Sequence, residues 1–265
     1  MSDSPAPVAR TTRASRQAMR PDGTDRRGGT AAAGIYRSLR AEIISMQRKP
    51  GEAIIEKQVG EAHGVSRTPI REALLRLNDE GLIQVLPQSG TFVAPIPLRA
   101  LPEAIVIRQA LEAVTVRAAA VNASDQQVAE LQAILKDQHE ASLADDAERF
   151  HEGDEAFHAA IAEAAGYPGI WPLIQKVKVQ VDRYRRLTLP MPGRIPMVVK
   201  EHSAVLRAIE RRDPDGAVAL MGDHLDGLQK SIATARANNP EYFIDGPLPA
   251  DPALSAARRF LSKRG

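Results

Sequence analysis

One stretch, His63-Gly-Val-Ser-Arg-Thr-Pro-Ile-Arg-Glu-Ala-Leu-Leu-Arg-Leu77, limits what this chain can fold into more than any other. Ser66 reads as a helix N-cap, Pro69 falls in the first turn, and Leu74 and Leu77 begin an apolar stripe. Arg67, Thr68 and Arg71 lie early in that helix, with Arg67 and Arg71 one turn apart on one face. Such a helix head suits a DNA major groove. Guanidinium forks pair with guanine edges, while hydroxyls and helix-end N–H groups hold phosphates. An ordinary surface helix with two solvated arginines would read the same way, so the flanking segments have to decide.

Upstream, Ile35, Leu39, Ile43 and Ile44 are spaced for an amphipathic helix that closes at Lys49-Pro50-Gly51. Residues Ile55 to Ala62 predict a short second helix, and His63-Gly64 the turn before the Ser66 helix. Downstream, Gly81 ends the third helix. Leu82–Val85 and Thr91–Val93 are strand-like runs around Pro87-Gln88-Ser89-Gly90, a hairpin with a glycine-bearing turn. Three helices and a hairpin make a winged helix–turn–helix.

Pro50-Gly51, the run Gly64 to Leu74, Leu77, Glu80-Gly81-Leu82 and Gly90-Thr91-Phe92-Val93 resemble, in order, the GntR family of bacterial transcription regulators. The resemblance implies that Arg67 and Arg71 read or anchor DNA. It also implies that Lys57 contacts phosphate and that Gly90 lies at a wing tip near the minor groove.

The chain of 265 residues has room for two modest domains. It contains no cysteine, which excludes disulfides and thiolate metal sites and fits a reducing cytoplasm. No apolar run approaches a membrane span, and the start lacks a signal-peptide core. The formal net charge is only +2, so any nucleic-acid contact must rest on a local concentration of positive charge. Residues 1–34 are rich in Arg, Ser, Thr, Ala, Pro and Gly without apolar periodicity, and read as a disordered basic tail. The winged domain is expected over 35–96 and a proline-marked linker over 97–103.

From 104 to 237 the pattern is nearly all helical. Candidate helices are Leu101–Val121, Asp125–Leu143, Ala147–Ala165, Ile170–Leu189, Pro196–Arg212 and Asp215–Ala237, with Ser124 and Asp213 as N-caps. Short connections between them predict an antiparallel bundle. The fold class is therefore mainly α, an N-terminal winged helix–turn–helix followed by an all-α effector domain. Residues 238–265 form a Pro-rich extension that reads as extended, with a short helix at Ala253–Lys263.

Within the bundle, Asp154 and His158 are i and i+4 on one helix face, and His202 and His224 follow on later helices. One carboxylate and three imidazoles suit a divalent transition ion such as Zn, Ni, Mn or Fe. Taken singly, each histidine would be read as a satisfied core or surface residue. As a set, Asp154-Glu-Ala-Phe-His158, Glu201-His202 and Met221-Gly-Asp-His224-Leu225 resemble the effector domain of the FadR-type (FCD) branch of the GntR family. That resemblance implies a metal held by Asp154, His158, His202 and His224. His63 is assigned to the turn, and His139 and His151 to solvated positions.

Four protein ligands leave two positions on a six-coordinate ion, which a small carboxylate could fill. A nearby cation would complete the pocket. Arg108, in Arg-x-x-Leu-Glu, is the candidate, although Glu112 at i+4 also predicts a plain helix salt bridge. Arg183, Arg185 and Arg186 are further candidates. Three arginines in four residues usually include a solvated face, and Arg185 is the one carried forward.

The resulting expectation is a non-enzymatic cytoplasmic, nucleoid-associated transcription regulator. It would act as a repressor, bind a short inverted repeat of operator DNA as a homodimer, and answer to a small organic acid. The alternatives are a metal-sensing regulator and a metal-dependent enzyme with a DNA-binding appendage.

Overall fold

The computed structural model describes residues 23–246 of the chain. The expected tail up to residue 22 and the expected helix at Ala253–Lys263 lie outside the described residues. From residue 23 to 34 the chain is helical rather than a loose tail, since α1 runs Gly23–Ile44. The reason is the run Ala31-Ala32-Ala33, which loses no side-chain entropy in a helix. Ala32 is buried and extends the stripe of Ile35, Leu39 and Ile43 by one turn.

The first unit continues with β1 (Ala53–Ile54), α2 (Glu56–His63), α3 (Arg67–Asp79), β2 (Ile83–Leu86) and β3 (Gly90–Val93). The strands form one antiparallel sheet in the order β1-β3-β2, with Ile83 opposite Val93 and Leu86 opposite Gly90. β1 pairs Ala53 with Phe92. It has two residues, too few to carry a period. α2 ends at Gly64, whose φ of +63° is a left-handed cap that a side chain would resist. Gly60 lets α2 and α3 close up, because a Cβ there would lie 3.2 Å from Ile70 Cδ1. Ile35, Leu39, Ile43, Val59, Ile70, Leu77, Leu82 and Val93 form the core.

Beyond β4 (Ile96–Pro97) the chain is a helical bundle. Its helices are α4 (Ala100–Asn122), α5 (Asp125–Leu143), α6 (Ala147–Ala164), α7 (Ile170–Val177), α8 (Val179–Thr188), α9 (Arg194–Glu210), α10 (Pro214–Lys230) and α11 (Ile232–Asn238). α4 packs on α10 and α6, α5 on α6 and α9, and α9 on α10. Phe150, Phe157, Ile161, Val205, Ile209, Met221 and Leu225 lie at the centre, each no more than 1 % exposed.

The structure departs from the sequence reading at three joints. The expected helix Ile170–Leu189 breaks at Lys178, where ψ is near zero. The Lys178 ammonium turns inward to bond Glu155 and Asp182, each at 2.6 Å. The expected helix Asp215–Ala237 breaks at Ser231. The expected linker 97–103 is ordered. Ile96 and Pro97 pair in parallel with β5 (Phe243–Ile244), and Leu101 at the start of α4 is fully buried.

Ser124 and Asp213 both cap as the sequence predicts, Ser124 in a reciprocal box with Gln127. Ser66 occupies the N-cap position of α3, but its side chain makes no capping bond. Ser124→Ala should therefore cost about 1 kcal/mol. Ser66→Ala should cost distinctly less. Urea midpoints at unchanged m-value measure both, and equal losses would contradict the difference in capping.

Candidate metal centre and nucleic-acid interface

Asp154 and His158 project from one face of α6, His202 comes from α9 and His224 from α10. Their ligand atoms all lie within 4.8 Å of one another. None of the four residues is more than 3 % exposed. A fourth helix, α5, reaches the site through Gly153 of α6. A Cβ there would stand 3.2 Å from Gln138 Cβ, so the glycine lets α5 approach α6 and brings Gln138 to the site.

Each imidazole is aimed by a second group. His202 Nδ1 lies 2.8 Å from Gln138 Oε1, and His224 Nδ1 lies 2.8 Å from Glu201 Oε2. His158 Nδ1 lies 2.5 Å from Glu112 Oε2, close but off the ideal hydrogen-bond direction. Metal-ligating histidines characteristically give their other nitrogen to an oxygen in this way. The Nε2 atoms are left facing inward. His158 Nε2 is buried without a protein partner, and His202 Nε2 and His224 Nε2 lie 3.3 Å apart. Two ring nitrogens bound to one ion at about 2.0–2.1 Å stand about 2.9–3.4 Å apart. The FCD-type metal set implied by the sequence thus fits these residues. Bound there, a divalent ion would supply Lewis acidity and positive charge to any anion beside it.

The electrostatics favour the binding forms of His202, His224 and Asp154. Burial pushes His202 well below the usual histidine value, and neighbouring His224 adds to the effect. Burial also lowers His224, against the opposing bond from Glu201. Burial alone would raise Asp154, but the charge and hydrogen bonds of Arg185 hold its carboxyl well below the usual range. Arg185 grips both Asp154 oxygens, at 2.5 and 2.6 Å.

Arg108 donates Nε to Glu112 Oε1 at 2.7 Å, so the helix salt bridge is formed and fully buried. The structure thus brings Arg108 and Arg185 into the shell around the four ligands, each on a carboxylate. Glu112, Gln138 and Glu201 were missed by sequence reasoning as supporting groups. Glu201 is adjacent to a predicted ligand and Glu112 is one turn from Arg108, but nothing in the sequence marks Gln138. Two assignments change. His151 is 6 % exposed rather than solvated, and burial pushes it down to about 4. Arg183 and Arg185 are both buried and Arg186 is half-buried, so this triplet has no solvated face. α8 is covered on one side by the bundle and on the other by the winged unit.

On the winged unit, Pro69, Ile70, Ala73, Leu74 and Leu77 face the core, which leaves Ser66, Arg67, Thr68 and Arg71 exposed on the outer face of α3. Arg71 Nε is 3.6 Å from Glu56 Oε2, a surface pair of little energetic weight. Lys57 is exposed on α2, loosely paired with Glu61. Gly90 sits at the start of β3 with φ +120°, a conformation favouring glycine.

Comparison with known proteins agrees with this arrangement. Residues 31–93 match the model of the bacterial regulatory proteins of the gntR family, and residues 103–227 that of the FCD domain. The HTH-type transcriptional repressor RspR of Escherichia coli K12 is 32 % identical over 211 residues, 80 % of this chain and 92 % of RspR. The chain belongs to the GntR family. An HTH-type transcriptional regulator from an unstable DNA locus of Streptomyces ambofaciens is 33 % identical over 82 % of this chain and 91 % of its own length. Among solved structures, E. coli McbR/YncC superposes with a TM-score of 0.66 at 26 % identity, over 78 % of this chain and 98 % of McbR.

This GntR protein is a DNA-binding transcriptional regulator with an FCD domain, and its relatives are regulators, not enzymes. Among the described residues, no helix is long and apolar enough to cross a membrane.

Two outcomes follow from the geometry. Glu201→Gln weakens the acceptor for His224 Nδ1–H without removing a ligand. It should lower divalent-metal affinity about 10–100-fold by calorimetry, and an unchanged affinity would deny Glu201 its orienting role. The second outcome concerns pH. His151, His202 and His224 are held neutral in the folded metal-free protein, while in the unfolded chain they gain protons near about 6.5. The unfolded state then binds more protons, so stability is full above that value and falls as pH drops towards the lowered folded values. Urea unfolding of metal-free protein from pH 7.5 to 5 should show this decline, and flat stability would mean that the three rings titrate normally.

Proposed function

We propose that this regulator is a homodimeric repressor of a short inverted repeat, working in the cytoplasm and released or retained by a small carboxylate metabolite held at a divalent metal. Arg67, Thr68 and Arg71 would enter the major groove, Lys57 and Ser66 would hold phosphate, and Gly90 would carry the wing to the minor groove. Asp154, His158, His202 and His224 would hold the ion, and Arg108 and Arg185 would face the effector. The name of RspR supports repression. Two-fold symmetry of a dimer supports a palindromic site.

One observation carries the carboxylate. Around the four ligands, Arg108 stands against Glu112, Arg185 against Asp154, and Arg194 within 4.0 Å of Glu201. Each of these three pairs is neutral in itself, so a divalent ion added among them brings a positive charge that they do not offset. Buried charge demands a partner, and an organic anion on open coordination positions supplies one. A second reading, in which the ion itself is the signal, draws on the closure of the centre. With all four ligands at most 3 % exposed, an organic effector has to open the bundle to enter.

The test is selection of bound fragments from a genomic DNA pool, with Arg71→Ala as control. An enriched palindrome is expected, bound about 1–3 kcal/mol more weakly by the variant. No enrichment over Arg71→Ala would sink the operator assignment. In the same protein, His202→Ala should lower metal content yet leave effector-free operator binding intact. An operator response to organic acids at fixed metal separates the effector reading from metal sensing.

A further inference from the structure

α8 reaches from the candidate metal centre to the winged unit. Its first residue, Val179, is 5 % exposed and packs in the same apolar cluster as Ile35, Leu39 and Val93. The next residue, Gln180, donates Nε2 to the Gly81 carbonyl at 3.3 Å, and one turn on Arg183 donates Nη2 to the Ala94 carbonyl at 2.6 Å. Arg183 also bonds Gln180 Oε1 at 2.9 Å, which joins the two contacts. Gly81 and Ala94 flank the wing, just before β2 and just after β3. The Ala94 N–H donates to Leu82 O at 2.9 Å and ties the two feet together. On the other side of α8, Arg185 holds both oxygens of Asp154.

Arg183 is unusual in its surroundings. It is fully buried, and among the described residues its partners are a carbonyl and an amide oxygen rather than a carboxylate, with Nε unpartnered. Burial pushes the guanidinium down to about 10, so it remains charged at neutral pH. A buried charge of this kind costs more than an apolar side chain of similar volume would. What it contributes is a directed, charge-assisted bond to one backbone oxygen at the base of the wing.

We propose that Gln180 and Arg183 are positioning residues for DNA recognition that hold both feet of the wing, and that Arg185 links this hold to the state of Asp154 in the metal centre. The proposal rests on the metal reading above. Asp154 serves two masters on one carboxylate. An Asp154 oxygen given to a divalent ion is shared with Arg185, and two cations on one carboxylate repel. Any shift of Arg185 is passed along a single short helix, so it reaches Arg183, two residues away, and with it Ala94.

The experiment uses the full chain and Zn²⁺, Ni²⁺ and Mn²⁺ as probes. Metal affinity is measured by calorimetry with and without the selected operator duplex, and hydrogen exchange of the wing amides is followed on metal loading. In the wild type, duplex should change metal affinity about 5- to 150-fold, operator affinity should change by the same factor, and wing exchange should shift. Arg183→Met should bind metal as the wild type does, with coupling reduced to about twofold or less and no wing shift. Gln180→Ala, a milder change, should reduce the coupling partway and serves if Arg183→Met does not fold.

Full coupling in both variants would overturn the wing assignment while leaving the metal reading intact. Metal binding without coupling in the wild type would overturn the link through Arg185. Absence of metal binding in the wild type, or binding unchanged in His202→Ala, would remove the metal reading and this proposal with it.

Discussion

The bidentate pair between Arg185 and Asp154 is the interaction on which the interior of this protein depends. Both residues are buried among helices, where an ion without a partner costs several kcal/mol, roughly the margin by which a domain is stable. The pair solves that problem only while both members are present and aligned. The same demand is repeated around it, with Arg108 on Glu112, Glu201 on His224 and Gln138 on His202. A core of this kind is specified by its polar contacts as much as by its apolar volume. Phe157 illustrates the overlap, since it fills the core and stacks on the His202 ring at 4.4 Å between centroids.

That network explains why the centre has the character of a binding site and not of a structural ion pair alone. A structural network would satisfy every donor and acceptor. Here the satisfied atoms are the outer ones, the Nδ1 atoms of His202 and His224 and the carboxylate of Asp154, while the inner Nε2 atoms are left to face one another. With Nδ1–H donated to Gln138 and Glu201, His202 and His224 would turn two lone pairs inward at 3.3 Å, a spacing that suits a cation held between them. Asp154, His158, His202 and His224 are thus arranged as a donor set for a cation.

Much of the fold was legible in the sequence because local signals agreed. The Ser66 helix, the Gly64 and Gly81 turns and the glycine-bearing wing are each set by backbone rules acting over a few residues, and the Asp154–His158 spacing is set by one helical turn. The illegible parts depend on tertiary placement. Lys178 breaks a periodic apolar run because two carboxylates from α6 and α8 draw its ammonium inward. β4 and β5 are two residues each and meet across most of the chain. Gln138 joins the metal centre only because Gly153, on another helix, lets it approach. The arginine triplet on α8 misled for a related reason. Arg183 and Arg185 point to different sides of the helix, and the solvent expected on one side is replaced by a second folded unit.

α8 also changes what the boundary between the two units means. Interfaces between domains of one chain are commonly polar and permissive of motion. This one joins an apolar plug, Val179, to directed bonds on two backbone carbonyls, so it constrains the orientation of the wing and not merely its proximity. A regulator has to satisfy opposed requirements. The DNA-reading surface must be rigid enough to discriminate bases, yet its placement must respond to an event inside the bundle. A single short helix, held on one side by a carboxylate of the candidate metal centre and on the other by the base of the wing, is built to meet both. In the coupling proposed above, the wing keeps its own sheet and turn intact, and only the direction in which it is held answers to the core.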